Sequence, residues 1–206
     1  MNNYHYIVAS LPVLSPDYKF ASDTPDSIMA EILAQLSDKD KAVVEFLEKG
    51  FEPDNLCAEF YNEALSHDSQ FIRDYFAFDL AVRNAKVEYL NDQLGRPAGK
   101  DVLVLNQDED CEPEQVEFEE AAKLDGILHS GDILTRERGI DDLLWEKIDA
   151  MTLFDYFNME IILGFVAKLH IVARWFKLDE ESGRQMFKKL VDEVRGTFKG
   201  VQYNAN

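Results

Sequence analysis

The sequence is poor in cysteine, in basic residues and in uninterrupted apolar runs, and each shortage excludes a class of protein. Its two cysteines, Cys57 and Cys111, form no C-x-x-C pair and have no histidine at ligand spacing. A disulfide framework and a zinc site are unsupported, and free thiols in a reducing cytoplasm are the expectation. Lys and Arg number 21 against 40 Asp and Glu, a formal charge of −19. Such a field repels a phosphate backbone and an anionic lipid surface alike, which argues against nucleic-acid binding. Two readings of the acid stand: it keeps the chain soluble, or it meets a basic partner. The most apolar long segment, Ile161 to Phe176, is interrupted by Lys168, His170 and Arg174. It reads as a buried core helix and not as a membrane span. Residues 1–6 contain no Lys or Arg, and the apolar stretch after them stops at Pro12, so a secretory signal is not expected.

Catalytic motifs are missing as well. The sequence has no G-x-x-x-x-G-K-[ST], no G-x-G-x-x-G, no G-x-S-x-G and no H-E-x-x-H. The four histidines, His5, His67, His129 and His170, are scattered, and none has a nucleophile or metal-ligand pattern beside it. His170, inside the apolar segment, reads as a satisfied core or interface histidine. The acidic run Asp108-Glu109-Asp110-Cys111-Glu112 invites comparison with a calcium loop beginning at Asn106 and ending at Glu117. Cys111 stands where that loop needs glycine, and Pro113 interrupts it, so a solvated linker is the better reading. No cofactor, no metal and no catalytic residue is expected.

What the sequence does have is core material and helical punctuation. Of its 206 residues 46% are apolar, with 14 Phe and 8 Tyr, enough for a sizeable core. Residues 4–11 alternate loosely and predict a short strand or extended arm, pairing with 102–105. Thr24-Pro25 opens a helix carrying Ile28, Ile32, Leu33 and Leu36. Ser37 caps a second, with Asp40 three residues on, and Gly50 ends it. Pro53 opens a third, with Leu56, Phe60 and Leu65 inward. A long helix starts near Asp68 or Ser69 and stops at Leu94, before Gly95 and Pro97. Helical pattern resumes at Pro113, covers Leu143 to Met151, and opens again at Thr152, with Asp155 in capping-box relation, to reach Phe176. A last amphipathic helix begins at Asp179. The expected fold is mainly α, a bundle of about eight helices. Lobes at 1–95 and 116–206 joined by a linker at 96–115, or one domain built from both, fit this pattern. Asp74–Leu80 and Asp155–Ile161 echo each other, each placing an acid at its sixth position at the start of a long helix; chance or a duplicated helical unit accounts for this.

Charges inside the two long apolar helices are the sharpest feature. Asp79, Arg83, Lys86 and Glu88 lie in one, and Glu160, Lys168 and Arg174 in the other. Buried charge is costly unless paired, so the expectation is pairing within or between helices, or snorkelling to the surface. The sharper alternative is a carboxylate pair for acid–base chemistry.

Tyr4-His5-Tyr6-Ile7-Val8-Ala9-Ser10-Leu11-Pro12, Phe78-Asp79-Leu80-Ala81-Val82-Arg83-Asn84-Ala85-Lys86 and the stretch from Trp145 through Arg174 together resemble a bacterial family of unknown function. The resemblance implies a gene set among V-type ATPase genes. The two long helices are also similar to those of the V-type ATPase socket protein called C, or d in eukaryotes, a longer chain than this one. In that protein an aspartate, an arginine and an asparagine recur along buried helices of a repeated bundle. Asp79, Arg83 and Asn84, and then Glu160, Lys168 and Arg174, would be the corresponding structural or interface positions. The resemblance implies a non-catalytic connector between the central stalk and the membrane rotor ring. It would be cytoplasmic, held at the inner membrane through those partners. A transient assembly or regulatory factor of the same ATPase, and an unrelated helical ligand-binding protein or enzyme, are the alternatives.

Overall fold

The computed structural model describes residues 4–20, 23–105 and 118–177, and among them it is all helix and loop. Eight α-helices follow in order: α1 (Tyr4–Ser10), α2 (Pro25–Gln35), α3 (Asp38–Lys49), α4 (Ala58–Leu65), α5 (Gln70–Gln93), α6 (Ala121–Leu128), α7 (Ile133–Met151) and α8 (Met159–Lys177). A single 3₁₀ turn, Pro53–Asn55, precedes α4.

Side chains fix most helix starts. The Thr24 hydroxyl oxygen accepts the Ser27 amide at 3.1 Å while Ser27 Oγ accepts the Thr24 amide at 2.9 Å, a reciprocal box that opens α2. Ser37 Oγ accepts the Asp40 amide and its hydroxyl donates to Asp40 Oδ2 at 2.7 Å, opening α3. Ser69 caps α5 through the Ile72 amide. Asp132 caps α7, accepting the Thr135 amide at 3.0 Å and the Thr135 hydroxyl at 2.7 Å. At the far end of α5, Gly95 takes φ +61, the Gly95 amide donates to Asp92 O and the Arg96 amide to Asn91 O. This paired closure is the reason a glycine stands there.

The core falls into two clusters that share α5. Ile7, Ile32, Val44, Leu47, Tyr61, Ile72 and Phe76 from the first five helices are fully buried against Ile162, Leu163, Val166 and Ala167 of α8. Phe78 and Val82, further along α5, join Leu124 and Leu128 of α6 and Ile140 and Leu143 of α7. At about 1.5 Å per residue α5 is roughly 36 Å long, which lets one helix serve both clusters.

Four expectations are corrected. The N-terminal segment is a helix, not a strand: Tyr4, Ile7, Val8 and Leu11 all pack inward, a 3–4 spacing that no strand can present on one face. Residues 102–105 have no strand partner; Asn84 of α5 binds Leu103 instead, its Nδ2 donating to Leu103 O at 2.9 Å and its Oδ1 accepting the Leu103 amide at 3.0 Å. Pro53 opens only the 3₁₀ turn, and the helix bearing Phe60 and Leu65 starts at Ala58. Thr152 does not open α8 but closes α7: it is buried, and its hydroxyl donates to Ile148 O at 2.9 Å. Asn158 takes over the α8 start, accepting the Ile161 amide at 3.2 Å. The two echoing segments consequently occupy different places, Asp74–Leu80 within α5 and Asp155–Ile161 across the α7–α8 loop and the first turn of α8. The acidic run, the pattern at 113–117 and the helix expected from Asp179 lie outside the described residues.

Candidate functional site

The six polar positions singled out in the sequence sit along α5 and α8, and α7 supplies the partners of Lys168 and Arg174. Arg174 of α8 donates to Asp141 of α7, a buried carboxylate that also accepts the Trp175 indole N–H at 2.6 Å. The other face of the Arg174 guanidinium is 3.7 Å from Glu137, and Glu137 lies 3.5 Å from Lys86 of α5. One chain of alternating charge thus ties three helices together. Burial raises the Asp141 pKa, and Arg174 and the Trp175 indole hold it part of the way back. Further along the same seam, Lys168 of α8 pairs with Asp149 of α7 and lies 4.9 Å over the Trp145 ring.

Glu160, in the first turn of α8, works on α5. Its Oε2 accepts the Phe71 amide at 3.1 Å and the Ser69 hydroxyl at 3.0 Å. A carboxylate from one helix therefore satisfies a first-turn N–H group of another and faces its positive end. Asp79 accepts the Tyr61 hydroxyl from α4 at 2.6 Å. Burial pushes the Asp79 pKa up against the lowering influence of that bond, of Arg83 and of Lys86. Arg83 also acts on Tyr61, whose own pKa burial and Asp79 drive upward. Asn84 belongs to a different group. With Glu88, which accepts the Gly99 amide at 2.8 Å, and buried Asn91, which donates to Lys100 O at 2.7 Å, it forms a stripe that holds the 96–105 segment on α5.

The positions are therefore not gathered in one place. Glu137, Asp141 and Asn91 were missed in the sequence. Asn91 was findable: 84, 88 and 91 share one helical face just before a loop rich in unpaired backbone. Asp141 and Glu137 carried no such signal, because acids on α7 are too common to single any out.

A surface hollow of about 370 Å³ lies between α5 and α6, walled by Glu88, Tyr89, Asp92, Phe118, Asp125 and His129. Of the charges singled out in the sequence, Glu88 alone lines this hollow, and none of the six candidate positions does. Glu88 is already engaged with Gly99, and Asp125 lies 3.4 Å from His129. His170 is not the core histidine that one reading expected: it is exposed, with one face of its ring stacked on Phe51 at a centroid distance of 4.0 Å. Desolvation by that stacking, with Arg174 and Lys177 adding repulsion, lowers its pKa to about 4. Among the described residues no three His, Cys, Asp or Glu side chains could hold a metal ion, and no helix is long and apolar enough to cross a membrane.

A family model described as "Protein of unknown function (DUF2764)" matches residues 48–197, most of the chain. The chain belongs to this family. The matched span runs from the end of α3 past α8 and includes every polar position discussed, so the α5–α7–α8 charge chain and the Glu160 cap lie in the part of the molecule that the family shares. The α1 segment lies before it. No curated protein and no solved structure matches the chain.

Proposed function

We propose that the chain is a non-catalytic component of a V-type ATPase or ATP synthase, a connector of the C/d type between central stalk and membrane rotor ring. The resemblance of Phe78–Lys86 and of Trp145 through Arg174 supplies the identity of the complex. The observation that carries the mechanical part is the mutual pairing of charge across α5, α7 and α8. Asp141 is buried and its partners are half-exposed, so we read these pairs as setting the register of the helices more than adding stability. A helix unit locked in this way suits a part that passes torque and does no chemistry. The same pairings weigh against a ligand-binding or acid–base site: Glu160, Lys168 and Arg174 are spent on helices, and the hollow between α5 and α6 holds none of them.

The test is a detergent-solubilised pull-down of the tagged full chain from its own host, with mass spectrometry of what accompanies it. Stoichiometric rotor-ring and stalk proteins are the expected result. Sub-stoichiometric recovery would move the chain to a transient assembly or regulatory factor, and absence of every ATPase component would end the proposal.

A further inference from the structure

The loop between α7 and α8 exposes four large apolar side chains within five residues: Leu153 (63%), Phe154 (84%), Tyr156 (68%) and Phe157 (48%). The patch continues onto α1, because His5 lies against Phe157 with ring centroids 4.2 Å apart and the neighbouring Tyr6 is 63% exposed. Single exposed apolar residues are ordinary, but a contiguous aromatic group is the signature of a contact surface.

The loop is also held in shape. Buried Thr152 anchors it to Ile148, and the Asp155 amide donates to Thr152 O at 3.0 Å. Asn158 donates to Asp155 and accepts from Ile161. Beneath it, a Cβ on Gly164 would stand 2.8 Å from Thr152 Cγ2, so α8 and the loop base are packed without slack. A fixed aromatic projection loses little entropy on docking. Residues 4–18 and 148–167 contain no Lys or Arg. Of the acids among them, Asp17 pairs with Arg138, Asp149 pairs with Lys168 and Glu160 caps α5, which leaves Asp155 beside the aromatic side chains on a chain of charge −19.

We propose that this loop is a docking knob for a protein partner that offers an apolar recess rimmed by Lys and Arg. The charge decides the occupant. An anionic bilayer would be repelled by a chain of charge −19 whose loop segment, 148–167, has no Lys or Arg, and a second copy would bring the same charge. The inference adds a docking element to the connector reading but rests on the loop alone, so the two can fail separately.

A photo-crosslinking benzoylphenylalanine at Phe154, with exposed Glu59 of α4 as control site, is introduced into the full chain in its host and the crosslinked peptides are sequenced. The expected product is a single partner, joined through Phe154 at a peptide where apolar residues lie beside Lys or Arg. The double variant Phe154→Ser/Tyr156→Ser should reduce recovery of that partner at least tenfold, with helicity and thermal midpoint unchanged because both side chains are exposed. Raising salt should also weaken the complex by screening the rim. Crosslinks only to lipid, to a second copy or to another part of the same chain, or none, would overturn the knob. So would undiminished recovery with the double variant. If the partner is a basic-rimmed protein outside the ATPase, the knob stands and the connector reading falls. If ATPase components are recovered equally with the double variant, the connector reading stands and the knob falls.

Discussion

Asp141 is the residue on which most depends. It is buried, it accepts both the Arg174 guanidinium and the Trp175 indole, and its removal would strand two donors at once. A hydrogen bond to a charged group contributes about 1.5–3 kcal/mol, and a donor left without a partner adds to the loss. Arg174 is partly exposed and keeps Glu137, so water and that carboxylate offset some of it. Asp141→Ala should therefore cost about 2–3 kcal/mol in urea unfolding; a variant as stable as the parent would mean the seam is held by packing alone. His170 gives the pH-dependent counterpart. Its folded pKa is about 4, below the value of an unfolded histidine, so its contribution to stability is present above the unfolded pKa and is lost as pH falls toward 4. Asp79 and Asp141 act in the opposite sense, since their raised values favour the folded state at low pH. A comparison with His170→Phe, which keeps a ring against Phe51, cancels those carboxylates. Between pH 7 and 4.5 the parent should lose more thermal stability than the variant, and parallel curves would contradict the assignment.

Among the elements, α5 shows what a sequence reveals and what it conceals. Its limits were legible because Ser69 and Gly95 are local signals, chemically suited to a start and a stop. Its charges were legible as a list but not as pairs, since partners on other helices, Tyr61 for Asp79 and Glu137 for Lys86, leave no trace in spacing. Glu160 had no visible reason to face α5, yet it completes the cap that Ser69 begins. The Thr152 reading failed because a Thr-x-x-Asp pattern is equally available to the end of one helix and the start of the next; burial of Thr152 against Gly164 settled it. Gly50 was read as a helix terminator and is one, but its φ of −74° needs no glycine. The requirement is space: a Cβ there would stand 2.2 Å from two ring atoms of fully buried Phe76 and 2.9 Å from Phe60. Gly50→Ala should cost about 1–3 kcal/mol as overpacking, outweighing any gain in backbone entropy, and the loss should show in thermal unfolding. The stripe on α5 makes a separate prediction. Asn84→Ala removes both bonds to Leu103, so exchange of the Leu103 amide should accelerate at least tenfold while the amides of α8 stay protected.

On the scale of the whole molecule, net charge and paired charge pull in opposite directions. The seam pairs draw α5, α7 and α8 together, while 40 acids against 21 bases leave a surplus of 19 negative charges. Salt screens both effects, and the balance between them decides the sign of the response. Exposed and half-exposed pairs, Lys86–Glu137 and Arg174–Glu137 among them, contribute about 0–1 kcal/mol each, so little attraction is lost on screening. The repulsion among the surplus acids is spread over the exposed surface, where counterions reach it, and it opposes the compact state. Added salt should therefore stabilise the chain: the thermal midpoint should rise between about 0.01 and 0.3 M NaCl, by about 2–4 °C for each kcal/mol of repulsion removed. Asp141→Ala should keep the same salt response from a lower starting point, because the surplus acid is a property of the surface and not of the seam. A midpoint that falls with salt in the parent would place the main electrostatic contribution in the exposed pairs, and would remove the reason for treating the acidic surface as unmatched within this chain and turned toward a basic partner.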